Sequence, residues 1–381
     1  MPSLKEHFLL DPGVIFLNHG SFGATPRPVF RAYQHWQREL ERQPVEFLGR
    51  LHNELMRGAR AALATYLGTQ AENVVYTQNV TIALNIVARS LPLEPGDQVL
   101  STDHEYGALD RTWRFLSRER GFTYINRPIP VPLVSTEQFV EAFWGGVTPH
   151  TRVIFLSHIT SPTAIIFPVA EVIRRAREAG ILTIVDGAHA PGQIPLALEE
   201  LGVDFYGGNL HKWLCAPKGA GFLYARPEVQ KMLKPLVVSW GYESEMPSGS
   251  TFIDHHEWWG TRDIAAFLSV PAAIEFQEQH NWEKVREACH ALAVQAQRRI
   301  CELTGLPPLH VGDSWFRQMF TAPLPEGTDI VELKRRLYDE YRIEVPLVQW
   351  GAHKLVRVSI QGYNTSRDVD RLLDPLGQLL R

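Results

Sequence analysis

Short apolar runs alternate with amphipathic helical patterns along the chain between about residues 26 and 223. Three of these runs are followed directly by polar residues and predict buried strands, at 99–100, 153–156 and 181–185. Residues 169–179 carry apolar side chains at helical spacing, and Gly180 then marks the end of a helix. This alternation predicts βαβ units around a mainly parallel sheet. In such sheets ligands bind at the carboxyl ends of the strands.

The pattern changes after Leu223. A stretch rich in Pro, Gly and Trp over 235–260 is followed by a long helical pattern over 264–303. The remaining residues mix the two periodicities, with a helix expected over 330–341 and a strand over 355–359. The carboxyl-terminal third of the chain is therefore expected to form a separate α+β unit.

The chain has 381 residues, of which 45% are hydrophobic and 21% are charged. A chain of this size buries a large core divided between about two domains. We place a large α/β domain over 23–260 and a smaller α+β domain over 261–381, to which residues 1–22 can return. The formal net charge is -4 and basic residues form no long block, so nucleic acid is not an expected partner.

The cysteine count and the hydropathy indicate a compartment. Three cysteines in a chain of this length form neither a disulfide framework nor a C-x-x-C metal motif, as is typical of a reducing environment. No run of about 18 apolar residues occurs, so no membrane partner is expected. Residues 255–259 lack the second histidine of a zinc-binding helix, and no metal site is predicted. We expect a cytoplasmic protein.

A carboxylate at a strand end and a lysine on a turn carry the strongest chemical signal. Asp186 follows the apolar run 181–185, and Lys212 lies in the Gly- and His-containing turn 208–213. Pyridoxal phosphate needs a lysine for its Schiff base and an anion beside its pyridine nitrogen, which keeps the ring a strong electron sink. Either residue alone is weak evidence, because a strand-end Asp is often a helix cap and most lysines are solvated. Together they predict a pyridoxal-phosphate site.

A site for the cofactor phosphate is then expected. Residues 76–78 lead into a helical pattern over 82–89, and Asn79, Val80 and Thr81 stand at its start. Unpaired amides and the helix dipole at such a position bind an anion. An ordinary N-cap explains the same residues equally well.

Four motifs occur along the chain in a fixed order. They are Leu17–Gly23, the Asp186 motif, the Lys212 motif and Arg357–Thr365. In this order they resemble the class V aminotransferases of the fold-type I pyridoxal-phosphate enzymes, and within them the isopenicillin N epimerase group. The resemblance implies a large domain with a mainly parallel, seven-stranded type of sheet and a smaller α+β domain. It also implies a homodimer whose active site lies at the subunit interface.

The resemblance assigns cofactor contacts residue by residue. Lys212 is similar to the Schiff-base lysine and Asp186 to the partner of the pyridinium nitrogen, while His189 replaces a glutamine near the phenolic oxygen of the ring. Thr261 matches a threonine that reaches the phosphate from the neighbouring subunit. The phosphate cup is expected to contain Asn79, Val80, Thr81, Asn209 and His211.

The resemblance also identifies the substrate side of the site. Arg357 is similar to the arginine that binds the substrate carboxylate, for which a bidentate guanidinium is well suited, and Asn18 is assigned to the same region. Tyr106 is placed over the cofactor ring as a catalytic residue, with His104 as its competitor. Ser161 occupies a position where many relatives use an asparagine beside the ring oxygen.

The implied substrate is a small amino acid, bound as an external aldimine and deprotonated at Cα by Lys212. Reprotonation on the opposite face gives epimerisation, and reprotonation at the cofactor gives transamination. Loss of a β-substituent would instead make the protein a carbon–sulfur lyase of the hercynylcysteine-sulfoxide type, and a non-catalytic cofactor-binding regulator is a further alternative. Residues 343–356 contain no cysteine, which disfavours the persulfide chemistry of cysteine desulfurases.

Overall fold

A computed structural model describes residues 3–380. The strands are β1 (Ile15–Phe16), β2 (Val74–Thr77), β3 (Gln98–Thr102), β4 (Thr123–Arg127), β5 (Thr151–Ser157), β6 (Leu182–Gly187), β7 (Phe205–Asn209), β8 (Gly221–Ala225), β9 (Met319–Leu324), β10 (Ile343–Glu344), β11 (Leu347–Trp350) and β12 (His353–Ser359). The α-helices are α1 (His19–Phe22), α2 (Arg27–Arg42), α3 (His52–Leu67), α4 (Val80–Ser90), α5 (Gly107–Arg120), α6 (Thr136–Trp144), α7 (Val169–Glu178), α8 (Leu198–Leu201), α9 (Pro227–Gln230), α10 (Thr251–Glu257), α11 (Ala265–Leu268), α12 (Val270–Gln279), α13 (Trp282–Thr304), α14 (Ile330–Asp339) and α15 (Ser366–Leu379). Short 3-10 helices lie at Lys5–His7 and Ala71–Asn73, and a π-helix lies at Glu46–Leu51.

Seven strands form the main sheet, in the order β2-β8-β7-β6-β5-β3-β4. The pairs from β7 to β4 are parallel, whereas β8 is antiparallel to both of its neighbours. The three predicted strands correspond to β3, β5 and β6, and α7 ends before Gly180, which adopts a positive φ of 67°. The mainly parallel seven-stranded α/β fold is therefore confirmed.

Helices cover both faces of this sheet, which explains why its central strands are apolar along their whole length. The approach of α4 to the sheet depends on a glycine. A side chain at Gly207 of β7 would come within 3.0 Å of Val80 and Leu84. Glycine at this position lets the first turn of α4 lie directly against the carboxyl end of β7.

The carboxyl-terminal region contains a second, antiparallel sheet of three strands in the order β11-β12-β9. The N-terminal segment joins this region, because β1 pairs in parallel with β10 and the Leu4 amide donates to the Gly362 carbonyl. The division of the chain at residues 23 and 260 stays a prediction.

The long helical pattern over 264–303 is divided into three helices, α11, α12 and α13. Pro271 lies in the first turn of α12, where its missing amide hydrogen costs nothing. Asn281 adopts a left-handed φ of 48° and caps α13 with its side chain. Apolar periodicity continues across such breaks, so the sequence pattern alone could not separate the helices.

Candidate active site

Strands β6 and β7 bring the two central residues of the site to one edge of the sheet. Asp186 lies near the end of β6 opposite Gly207 of β7, and the chain continues from β7 through Asn209 into the turn that carries Lys212. Parallel strands end at the same edge, so residues 26 positions apart in sequence become neighbours.

Asp186 is almost completely buried, with an exposed fraction of 2%. Its Oδ1 accepts a hydrogen bond from the Ala188 amide at 2.8 Å, while its Oδ2 is buried without a partner within residues 3–380. Burial raises the pKa of this carboxyl to about 6, although the Ala188 amide and Lys212 act in the opposite direction. A buried acceptor without a donor is costly, so Oδ2 is suited to a ligand N–H.

The Lys212 amine lies 3.2 Å from His189 Nε2. On the other side of the imidazole, Trp213 Nε1 donates to His189 Nδ1 at 3.2 Å. Burial and, to a smaller extent, the charge of Arg357 lower the pKa of Lys212 to about 7, while Asp186 acts in the opposite direction. At neutral pH a large share of this amine is therefore unprotonated.

The residues predicted to bind phosphate meet at the start of α4. Asn79 caps the helix by accepting the Ile82 amide at 3.0 Å, and Asn209 accepts the Val80 amide at 2.9 Å. No bond to the Thr81 amide is formed within residues 3–380, which leaves this donor free. His211 Nδ1 donates to the Ala220 carbonyl at 3.1 Å, and burial lowers the pKa of this imidazole to about 4.

Arg357 extends from β12 and is buried between hydroxyl and carbonyl groups. Its Nη1 donates to the Ser161 carbonyl at 2.6 Å and to the Ser161 hydroxyl at 3.1 Å, and its Nη2 donates to Ser21 Oγ at 3.0 Å. Within residues 3–380 no carboxylate pairs with this guanidinium, and its Nε has no partner. Burial lowers the pKa of Arg357 to about 10, but the side chain stays charged.

Asn18 supports this arrangement through Ser21. The Asn18 Oδ1 accepts the Ser21 hydroxyl, and its Nδ2 donates to Glu344 Oε1 at 2.8 Å. The structure thus brings Asn18 and Ser161, both predicted as site residues, together around Arg357.

The two candidates for the cofactor ring face differ in exposure. Tyr106 precedes α5 with 42% of its surface exposed, close enough to Arg357 to influence its pKa after the larger effect of burial. His104 is fully buried, with Nδ1 2.7 Å from the Thr163 hydroxyl and its ring 4.2 Å from that of Trp350. Of the two, Tyr106 is the one that an incoming ligand can reach.

Thr261 is exposed and has no hydrogen bond to this cluster within the described chain. Its predicted role belongs to a neighbouring subunit and stays a prediction. The side chains of Val238, Trp240 and Met246, on the Pro-, Gly- and Trp-rich stretch that precedes it, are also exposed.

His19 is a part of the site that was not predicted from the sequence. This buried imidazole donates from Nε2 to the Lys212 carbonyl at 2.9 Å and accepts at Nδ1 from the Tyr363 hydroxyl at 2.9 Å. It ties the N-terminal motif to the lysine turn. Its place in the motif Leu17–Gly23 is the sequence signal that indicates it.

Glu105 was also missed. Its buried carboxylate accepts the Thr102 hydroxyl at 2.6 Å and the Ser157 hydroxyl at 2.7 Å. Ser157 is the register partner of Asp186 on the next strand. Burial raises the pKa of Glu105 to about 8, and the charge of Asp186 adds to this effect. No local sequence signal distinguished this glutamate from a surface residue.

The three cysteines lie inside the protein or on a helix. Cys215 and Cys289 are buried, and burial raises the pKa of each thiol to about 12. Cys301 on α13 is half-buried, and its pKa is raised to about 11 for the same reason. A nucleophilic thiolate is not available at these positions.

Within residues 3–380 no three His, Cys, Asp or Glu side chains are arranged to hold a metal ion. None of the helices in this part of the chain is both long and apolar enough to cross a bilayer.

Comparison with known proteins identifies relatives of this chain. Residues 15–372 match the family described as Aminotransferase class-V. The chain is 39% identical to isopenicillin N epimerase of Amycolatopsis lactamdurans, over 98% of this chain and 97% of that protein. It is 25% identical to hercynylcysteine sulfoxide lyase of Schizosaccharomyces pombe, over 79% and 78% of the two chains. The crystal structure of a cysteine desulfurase from Escherichia coli is similar with a TM-score of 0.82 at 23% identity, covering 99% of this chain and 97% of that chain.

Proposed function

We propose that this chain, which belongs to the aminotransferase class-V family of pyridoxal 5′-phosphate enzymes, acts at the Cα atom of a small amino acid. The proposed reaction is epimerisation or transamination. The observation that carries this proposal is the buried guanidinium of Arg357, which has no counter-ion among residues 3–380 and lies near the Lys212 amine. A substrate carboxylate would supply the missing negative charge.

Three features of the chain fit the cofactor. The unpartnered Oδ2 of Asp186 suits a protonated pyridine nitrogen. The Lys212 amine, whose pKa burial lowers to about 7, suits an aldehyde carbon. The free Thr81 amide at the start of α4 suits a phosphate. When bound, pyridoxal 5′-phosphate supplies an electron sink for the charge left at Cα.

We assign the remaining cofactor contacts by position. His189, whose Nε2 faces Lys212, is assigned to the phenolic oxygen of the ring. The residues assigned to the phosphate are Asn79, Val80, Thr81, Asn209 and His211. We propose that Asn18 and Ser161 act on the substrate through Arg357, since both take part in holding that side chain.

Lys212 is proposed as the base that takes the Cα proton. A general base works best when its pKa lies near the working pH, and burial together with Arg357 brings the pKa of Lys212 to about 7. Arg357 fixes the carboxylate of the substrate, so that the Cα–H bond can be presented to one side chain. Asp186 stabilises positive charge on the ring nitrogen.

Tyr106 is the residue that would separate epimerisation from the other reactions. A two-base epimerase needs a second proton donor on the face opposite Lys212, whereas a transaminase or a lyase does not. Tyr106 is exposed in the site and carries a hydroxyl that can donate a proton, so it would act as an acid. Identity of 39% to a protein named isopenicillin N epimerase supports epimerisation as the reaction.

The test is Tyr106→Phe, which keeps the ring and removes the hydroxyl. We expect this variant to exchange the Cα proton in deuterated water but to lose interconversion of enantiomers, as followed by chiral chromatography. Thr112→Val, on the following helix α5, is a control that also removes one hydroxyl. Inversion by the Tyr106→Phe enzyme at the parent rate would exclude the two-base role.

A carbon–sulfur lyase is the second candidate, because a relative with that name aligns over most of the chain. The pKa values of the buried thiols are raised, and Ile343–Val356 holds no cysteine, so persulfide formation on the protein is disfavoured. Incubation of the enzyme with a panel of amino acids discriminates the candidates. Epimerisation yields the opposite enantiomer, transamination yields a keto acid without ammonia, and β-elimination yields a keto acid with ammonia. Cofactor binding without any product would favour a non-catalytic regulator.

We further propose that the active unit is a homodimer. Thr261 is exposed and unbonded to the site of its own chain, and the exposed side chains of Val238, Trp240 and Met246 lie on the stretch that leads to it. Exposed apolar side chains of this size favour a protein interface. Each subunit would then complete the phosphate site of the other.

A further inference from the structure

The side chains of Trp213, His189 and Lys212 form a hydrogen-bonded row inside the candidate site. Trp213 Nε1 lies 3.2 Å from His189 Nδ1, and His189 Nε2 lies 3.2 Å from Lys212 Nζ. Trp213 and His189 are both buried, so water does not compete for these bonds. The row therefore links the indole of Trp213, through His189, to the Lys212 amine that is proposed to bind the cofactor.

Donor and acceptor chemistry fixes the protons of this row. An indole nitrogen carries one hydrogen and cannot accept a bond, so His189 Nδ1 must be the acceptor and carries no proton. A neutral imidazole then holds its single proton on Nε2. An imidazolium would direct a second N–H at the indole N–H, and no carboxylate among residues 3–380 is bonded to it.

We infer that Trp213 fixes His189 as the Nε2–H tautomer and thereby holds the Lys212 amine in its unprotonated form. Because Nε2–H can only donate, the Lys212 nitrogen must accept through its lone pair, and an ammonium group has none. Trp213 is thus a positioning residue that acts through His189. This inference rests on the proposed function in taking Lys212 as the cofactor-binding lysine.

The other charged groups around the pair act on Lys212 in opposite directions, and none of them fixes the tautomer of His189. Asp186 on β6 favours the charged form of Lys212, whereas Arg357 on β12 disfavours it. His211 donates its Nδ1 hydrogen to the Ala220 carbonyl, and His19 donates its Nε2 hydrogen to the Lys212 carbonyl. Neither of these imidazoles contacts the amine itself.

The tautomer can be measured directly on the cofactor-free protein. In protein labelled with ¹⁵N-histidine, we expect the NMR shifts of His189 to show a protonated Nε2 and an unprotonated Nδ1. The signal is assigned by its absence in His189→Gln. In Trp213→Phe the Nδ1 loses its donor, and we expect a proton to appear on Nδ1. Replacement of Trp213 by benzothienylalanine removes the N–H but keeps the shape of the side chain. This variant is used for the same measurement if Trp213→Phe does not fold.

The state of Lys212 is read from the rate at which cofactor-free protein takes up pyridoxal 5′-phosphate, followed by visible absorption. Only the unprotonated amine attacks an aldehyde, so a proton retained on Lys212 slows uptake about tenfold for each pH unit by which its titration moves upward. For Trp213→Phe we expect uptake about tenfold slower at pH 7, with recovery toward the parent rate as the pH is raised. Trp282→Phe removes an indole that donates to the Gly192 carbonyl instead, and it should leave the rate unchanged.

A double variant tests whether Trp213 acts through His189. In a His189→Gln background, Trp213→Phe should change neither the uptake rate nor its pH dependence. An equal slowing in both backgrounds would assign Trp213 a purely structural role and overturn the inference. An unprotonated Nδ1 that persists in a folded Trp213→Phe protein would also overturn it. These measurements use no amino acid, so an error in the proposed reaction leaves their outcome unaffected.

Discussion

Two buried arginines of this protein face different partners. Arg60 pairs with the buried carboxylate of Glu257, so its charge is neutralised inside the chain. Arg357 is equally buried, but among residues 3–380 its hydrogen-bond acceptors are hydroxyl and carbonyl oxygens and not a carboxylate. An uncompensated buried charge is costly, and a bound carboxylate offsets that cost. The first arginine is therefore structural and the second is suited to a ligand.

Because of this difference, alanine variants of the two arginines should affect different quantities, namely ligand affinity and stability. Arg357→Ala should weaken amino-acid binding by about 2–5 kcal/mol, because one partner of a buried charged pair is removed, while cofactor binding changes little. Arg60→Ala should leave amino-acid binding unchanged but lower the free energy of unfolding by about 3–5 kcal/mol, since Glu257 loses its counter-ion. Spectral titration with an amino acid and urea unfolding measure the two quantities. Unchanged amino-acid affinity in Arg357→Ala would contradict the assignment.

At the scale of elements, the N-terminal motif packs directly on the lysine turn. His19 at the start of α1 binds the Lys212 carbonyl. Gly23, which follows α1, has a positive φ of 71°, and a Cβ atom there would lie 1.9 Å from the His211 carbonyl oxygen. The close approach of these two segments is possible only with glycine at this position.

Gly23→Ala should therefore displace the turn that carries Lys212. We expect it to lower the free energy of unfolding by at least about 1–3 kcal/mol, from backbone strain and overpacking, and to slow cofactor uptake. Gly58→Ala is the matched control, because Gly58 lies exposed in α3 with open space around its Cα atom. It should raise stability by about 0.5–1 kcal/mol and leave uptake unchanged. Equal behaviour of the two variants in urea unfolding would exclude the close packing as the cause.

At the scale of the whole molecule, buried histidines govern the response to acid. Burial lowers the pKa of five of them to about 4 or below, namely His19, His104, His158, His211 and His256. It also lowers the pKa of a sixth, His189, well below its ordinary value. As the pH falls, the unfolded chain takes up protons on these histidines near pH 6.5, whereas the folded chain takes them up only at a lower pH. Stability from these groups is thus present above pH 6.5 and is lost as the pH falls toward their folded pKa values.

The cofactor-free protein should accordingly lose stability steeply between pH 6.5 and 4. Each histidine contributes about 1.4 kcal/mol per pH unit in this range. Four carboxyls act in the opposite direction, because burial raises the pKa of Glu105 to about 8, that of Asp186 to about 6, and those of Asp103 and Glu257 above their ordinary values. They are four groups against six. Urea unfolding at pH 7.5, 6.0 and 5.0 measures the trend, and His104→Gln should reduce the slope. A midpoint that does not change across this range would refute the prediction.

The proposed dimer makes a further prediction at this scale. Lys212→Ala should fold but show neither the visible absorption of bound cofactor nor turnover, and Thr261→Ala should bind cofactor more weakly. When the two variants are mixed and allowed to exchange subunits, the mixed dimer contains one site with both native residues. We expect tight cofactor binding and turnover to reappear at that site. Full activity in a species that sediments as a monomer would contradict a shared site.

Much of the fold could be predicted from the sequence, because strand and helix signals are local. The apolar runs at β3, β5 and β6 and the helix α7 lie where the pattern indicates. The reversal of β8 within the sheet could not be predicted, since its direction depends on a connection and not on its own composition. The roles assigned to single site residues and the domain boundaries stay predictions.

The sequence by itself determined the α/β class, the order of the motifs and the position of Asp186 and Lys212 at one edge of the sheet, because a strand end and the turn after the next strand meet by the rules of parallel sheets. Only the tertiary structure decided what surrounds these residues. Arg357 meets Ser21 and Ser161, and His19 meets Lys212, across separations of 193 to 336 positions. Such contacts depend on packing between distant segments, and no local periodicity encodes them. The unpaired charge of Arg357 and the tautomer of His189 are consequences of that packing.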